Sequence, residues 1–137
     1  MSATQNKRVM QDLFAEISKG NTRPFVDALA DDFRWVIAGD SCWSRTYEGK
    51  QTVMNDFFPL LRAVLGQRRT HATRFIAEGD QVVVEARGEN TTRDGMPYNN
   101  SYCLVYTLRD GKITEVVEYM DTDLAIRVLG DPAAITV

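Results

Sequence analysis

The chain has 137 residues, 44% of them hydrophobic and 26% charged, with a net charge of -3, the make-up of one ordinary globular domain. The longest basic stretch, Gln67-Arg68-Arg69, is too short for a nucleic-acid footprint. No apolar run approaches the roughly 18 residues of a membrane span, and the polar start from Met1 to Lys7 lacks the apolar core of a signal peptide. The expected location is therefore the cytoplasm.

Residues 5–19 read as an amphipathic helix, because Val9, Met10, Leu13, Phe14 and Ile17 recur at helical spacing. Gly20 is its expected stop. A second short helix is expected near Thr22, with Pro24 in its first turn, Phe25 and Leu29 as its buried stripe, and Asp31 and Asp32 at its end. Residues 33–38 read as a strand, and residues 39–47 as a loop carrying Trp43. After Gly49 a third helix shows the stripe Val53, Phe57, Leu61 and Val64. Pro59 sits inside it and should kink or split it.

Past Gly66 the character turns to β. Strands are expected over residues 70–77, 81–91, 98–108 and 112–120, with hairpin turns at Glu78-Gly79-Asp80 and at Asp110-Gly111. A last short helix is expected over residues 123–129, capped by Thr122 and stopped by Gly130. No linker, repeat or low-complexity stretch divides the chain, so residues 1–137 read as one α+β domain.

Cys42, Cys103 and the single His71 show no metal-ligand spacing, and no glycine-rich phosphate loop is present. No metal or cofactor is expected. The chemistry has to come from the strands. One face of the second long strand carries Val82, Val84, Ala86 and Gly88; the other carries Val83, Glu85, Arg87 and Glu89. In the next strand Tyr98, Asn100, Tyr102, Leu104 and Tyr106 share a face. In the last, Val116, Glu118 and Met120 do. The charged parity of Glu85 and Arg87 fits either water or a pocket. A face gathering Val82, Val84, Ala86, Cys103, Val105 and Val117 is too apolar to stay exposed, which points to a homodimer.

The helix–helix–strand start resembles a known family, as do Tyr47-Glu48-Gly49-Lys50, the segment from Phe75 to Asp80, and Asp110-Gly111-Lys112-Ile113 ahead of Glu118-Tyr119-Met120-Asp121. This is the SnoaL-like branch of the nuclear transport factor 2-like superfamily, and the resemblance runs from about Asn6 to Leu129. It implies a cone-shaped α+β barrel, a curved antiparallel sheet packed over N-terminal helices, usually dimeric through the sheet. It also implies a pocket between sheet and helices. Superfamily members include isomerases, polyketide cyclases and epoxide hydrolases, so fold alone does not settle function.

Glu118 matches an acid position of the limonene-epoxide hydrolases. Their Arg-x-Asp pair falls on Glu85-Ala86-Arg87 with acid and base exchanged, which counts against epoxide hydrolysis. The match implies that Glu85, Arg87, Asn100, Tyr102, Glu118 and Met120 face the pocket. The tyrosine donor of the ketosteroid isomerases falls on Phe14, which has no hydroxyl. The expected function is a cofactor-free acid–base enzyme of isomerase or cyclase type, acting on a small apolar or partly polar metabolite. Glu118 would transfer the proton, or Asp121 in its place. Glu85 and Arg87 would set the electrostatics, and Asn100 and Tyr102 would orient the substrate. Phe14, Trp35, Trp43, Phe57 and Leu61 read as core or pocket wall. The same charged set could instead be a buried salt-bridge network that only fixes the sheet. A non-catalytic ligand-binding or interaction domain stands as the other reading.

Overall fold

The computed structural model describes residues 1–137. Ser2 starts the first helix with a capping box. Its hydroxyl accepts from the Gln5 N–H at 3.1 Å, and the Gln5 side chain accepts from the Ser2 N–H at 2.7 Å. Helix α1 (Ala3–Ile17) then buries Met10, Leu13 and Phe14. Helix α2 (Arg23–Ala28) ends earlier than its sequence suggests, because the chain turns extended at Leu29 and enters strand β1 (Leu29–Ile37). Sheet pairing overrides the helical pattern there. Leu29 is buried opposite Ile113, and exposed Asp32 receives two hydrogen bonds from Arg109, at 3.0 and 3.1 Å.

A short strand, β2 (Thr46–Glu48), occupies the end of the expected loop and sets buried Tyr47 opposite Trp35. The third helix is split as Pro59 requires. Helix α3 (Lys50–Thr52) runs into a π-turn over Val53–Phe57, and helix α4 (Phe58–Val64) follows. The Phe58 N–H reaches back to the Val53 carbonyl, an i→i−5 bond, just ahead of a proline that has no N–H to give.

Four long strands complete the sheet: β3 (Leu65–Glu78), β4 (Gln81–Thr92), β5 (Ser101–Arg109) and β6 (Lys112–Met120). Asp110 and Gly111 both take positive φ, 51° and 79°, as a two-residue turn between twisted strands demands. Helix α5 (Thr122–Leu129) is capped by Asp121, one residue before the expected Thr122. The Asp121 side chain accepts from the Leu124 N–H at 3.2 Å.

The strand order is β2-β1-β6-β5-β4-β3. Neighbours pair antiparallel except β1 and β6, which run parallel. The sheet curves over the N-terminal helices as an α+β fold. Register decides what each face carries. Ile37, Glu118, Leu104, Val84 and Phe75 form one cross-strand row that faces the helices. The next row, Val36, Val117, Val105, Val83 and Ile76, lies on the opposite, outer face.

Two expectations are corrected by this register. Val82, Val84 and Ala86 belong to the inner core and not to an outer apolar face. Glu85 aligns with Cys103 and Tyr119 on the outer face, away from Glu118. There Glu85, half-buried, pairs with the more exposed Arg74 at 2.6 Å, and Arg87 is exposed. The physical reason is burial: strand β4 can turn only one parity inward, and the valines and Ala86 take it.

Candidate functional site

Between the inner face of the sheet and the helices lies a cavity of about 280 Å³, in which 18 of the 25 lining residues are hydrophobic. That balance suits a small, mostly apolar molecule. Trp35 forms one wall. Its ring meets Phe57 at 5.1 Å and Phe58 at 5.9 Å between centroids. Trp43 closes another side. It is buried, and its Nε1–H donates to the Gly130 carbonyl at 2.7 Å, tying the loop before β2 to the chain after α5.

Glu118 is the acid of this cavity. It projects from β6 among Val116, Ile37 and Leu104, and only 7% of it is exposed. Trp35 Nε1–H donates to its Oε1 at 2.9 Å, the one hydrogen bond to that carboxyl. Burial pushes the Glu118 pKa up from 4.5 to about 7, and the indole bond pulls weakly the other way. A carboxyl at that value exchanges protons in both directions near neutral pH.

Three phenols surround it. Tyr98, Tyr102 and Tyr106 all line the cavity. Burial pushes each phenol above its ordinary value, and the nearby Glu118 charge pushes the same way. They therefore stay protonated and serve as hydrogen-bond donors.

Phe14, Trp35, Trp43, Phe57, Leu61, Tyr102, Glu118 and Met120 line the cavity together. Glu85 and Arg87 do not, for the register reason given above. Asn100 does not line it either, because its side chain is fully used elsewhere. Its Nδ2 donates to Tyr98 Oη at 2.9 Å and to the Asp121 carbonyl at 3.0 Å. Its Oδ1 accepts from the N–H groups of Ser101 and Asp121 at 2.8 and 3.0 Å. Asn100 thus holds the start of β5 to the end of β6 and aims Tyr98. Asp121 is an exposed helix cap, which leaves Glu118 as the acid at the cavity.

Sequence reasoning missed five lining residues of consequence. Tyr98 and Tyr106 share the parity of Tyr102, so alternation alone could have found them. Arg62, Arg68 and Arg69 stand at the cavity too. Strand β3 starts at Leu65, five residues earlier than residue 70, and this hid the inward parity of Arg68 opposite Asn90. No group of three or more His, Cys, Asp or Glu side chains is arranged to hold a metal ion, and no helix is long and apolar enough to cross a membrane.

The model of the SnoaL-like domain matches residues 10–116. The chain belongs to the SnoaL-like domain family. Glu118 lies just beyond the matched stretch. Solved structures share the fold. An NTF2-like protein of unknown function from Burkholderia pseudomallei K96243 superposes with a TM-score of 0.78 at 20% identity, over 94% of this chain and 98% of that one. TerC, co-crystallised with polyporic acid, gives 0.76 at 24% identity, over 90% and 97%. A protein of ketosteroid isomerase-like fold from Catenulispora acidiphila DSM 44928, in complex with trimethylamine, gives 0.72 at 18% identity, over 94% and 97%. A search of curated protein sequences found no match.

Proposed function

We propose that this SnoaL-like protein catalyses proton transfer with its own side chains, as an isomerase or cyclase acting on a small, mostly apolar molecule that bears a carbonyl. The observation that carries the reading is Glu118: a buried carboxyl facing an apolar cavity, held by one indole N–H, with its pKa near 7. Ionised, Glu118 removes a proton from the carbon beside the carbonyl. The C–H electron pair becomes the C=C bond of an enolate, the carbonyl π pair moves onto its oxygen, and the protonated phenols of Tyr98 and Tyr102 donate to that oxygen. The protonated Glu118 then returns its proton to the far carbon of a conjugated enolate, which isomerises the molecule, or the enolate carbon attacks a second carbonyl to close a ring and Glu118 gives its proton to the new alkoxide. The fold of TerC, crystallised with polyporic acid, supports a small-molecule role for such a cavity. Epoxide hydrolysis is not favoured, because Arg87 and Glu85 lie on the other face of the sheet.

The test is deuterium exchange at the α-carbons of 2-tetralone in D₂O, followed by proton NMR. Wild-type protein should accelerate exchange over buffer, and Glu118→Gln should lose at least about a hundredfold of that rate. Binding of 2-tetralone, read from tryptophan fluorescence, with no acceleration of exchange would favour the non-catalytic ligand-binding reading.

The outer face supports a second part of the proposal, a homodimer through the sheet. Val36, Val117, Val105, Val83 and Ile76 align across five strands with no helix over them, and Ile76 and Tyr119 are 50% and 52% exposed. A second copy laid on this face would take that row out of water. Light scattering should give a dimer mass for the wild type and a monomer mass for Val105→Glu. A monomeric wild type at micromolar concentration would end the idea.

A further inference from the structure

Three arginines line the cavity, Arg62 on α4 and Arg68 and Arg69 at the start of β3, and a fourth, Arg93 in the turn after β4, packs on Arg62. Arg93 is anchored, donating to the Arg62 carbonyl from Nε at 2.8 Å and Nη2 at 2.6 Å. Arg62, Arg68 and Arg69 line the cavity. None of the four takes part in an ion pair. The nearest acid along the chain, Asp94, is engaged by the Thr92 hydroxyl. This is an odd corner for a chain with 19 acids and 16 Lys and Arg.

Arg68 is the key member. It is half-buried, on the inward parity of β3 opposite Asn90. Its pKa is lowered by burial first, then by the charges of Arg62 and Arg93. Glu118 lines the same cavity. In the strand order β6-β5-β4-β3 two strands stand between Glu118 and Arg68, so the cationic end and the acid end are separate stations of one apolar chamber.

We propose that Arg68 and Arg62 form an anion subsite, and that the molecule this cavity takes carries a carboxylate at the end remote from the atoms facing Glu118. The inference rests on the reading of the cavity as a small-molecule site. A planar guanidinium matches a carboxylate in two parallel hydrogen bonds. A phosphate dianion fits less well, because desolvating two charges beside apolar walls costs more than desolvating one. The bound carboxylate relieves the mutual repulsion of the arginines, and the apolar body of the ligand fills the space toward Trp35.

The test compares 2-naphthoate with 2-naphthamide, near-isosteric and differing in charge, by calorimetry at low salt and about pH 6, where Glu118 is mostly protonated. The wild type should bind the naphthoate at least about tenfold tighter, the scale of one charge-assisted hydrogen bond pair. Arg68→Gln should erase that preference, weakening naphthoate binding far more than naphthamide binding. Arg68→Lys should keep part of it, and added salt should shrink it. Arg62→Gln, at an exposed position on α4, should weaken the preference without risk to the fold. Equal affinities for the two probes, or a preference that survives both glutamine variants, overturns the subsite and leaves the proton-transfer reading standing. Failure of the wild type to bind either probe at millimolar concentration overturns both. A 2-naphthyl phosphate that binds tighter than the naphthoate overturns the carboxylate assignment.

Discussion

Replacing Glu118 by glutamine should make the protein more stable at alkaline pH and leave it nearly unchanged in acid. The glutamine oxygen can still accept the Trp35 indole bond of 2.9 Å, so the hydrogen bond survives and only the titrating charge is lost. The folded-state pKa, about 7, lies above the ordinary value of 4.5. The native state therefore binds its proton more tightly than the unfolded chain does. The stability that the protonated acid contributes is fully present below pH 4.5 and is lost as pH rises through about 7. The gap corresponds to about 3 kcal/mol. Between pH 5 and pH 8 the advantage of the variant over wild type should open by about 2.5 kcal/mol. In a domain of this size that is a melting-temperature difference on the order of 10 °C. Paired thermal melts of the two proteins across that range read it directly, since every other titrating group is common to both. A difference that stays flat with pH would refute a raised Glu118 pKa. A variant less stable at pH 8 would show that the carboxylate is held by a cationic partner instead.

Four other substitutions separate the residues that build the site from those that only neighbour it. Asn100→Ala should cost roughly 2 kcal/mol in urea unfolding, because it removes four hydrogen bonds, one to the buried Tyr98 hydroxyl and three to part-buried backbone groups of Ser101 and Asp121; a loss under about 1 kcal/mol would contradict its clamping role. Glu85→Gln and Arg87→Gln should each change stability by less than about 0.5 kcal/mol, as exposed ionic positions do, and should leave cavity binding untouched; a hundredfold effect on binding would return them to the site. Trp35→Phe removes a bond that lowers the Glu118 pKa, so the carboxyl titration followed by carbon NMR should move to higher pH. An unmoved midpoint would mean that the indole bond carries no weight.

The helices and strands were legible where one periodicity ruled. Met10, Leu13 and Phe14 on α1 and the alternation through Tyr102, Leu104 and Tyr106 on β5 lie in the structure as the pattern demanded. Where two elements compete, local pattern was not enough. Leu29 reads as the end of a helix stripe, and only its partner Ile113 in β6 makes it a strand residue. The placement of Glu118 at the cavity was expected from its match to an acid position of a related family, together with its flanks Val116 and Met120, which share its parity. The error at Glu85 and Arg87 was one of register between strands: within β4 the two parities are clear, but which of them faces Glu118 depends on pairing across β5. The arginine end was illegible for another reason. A basic pair beside a glycine looks like a solvated strand entrance, and its meaning depends on α4 and the turn after β4 arriving beside it.

The parallel pairing of β1 with β6 has a temporal meaning. The indole of Trp35 and the carboxyl of Glu118 are 83 positions apart in the chain, and the strand bearing the acid is the last of the six strands of this sheet to be synthesised. Until it emerges, β1 and β5 both present open hydrogen-bonding edges, and the aromatic wall around Trp35 faces no sheet. Pairings over such distances form slowly, and unpaired edges recruit other chains. The nascent protein thus passes through a stage with an unfinished cavity and two sticky margins, and a single nine-residue strand, Lys112–Met120, closes both margins while delivering the acid.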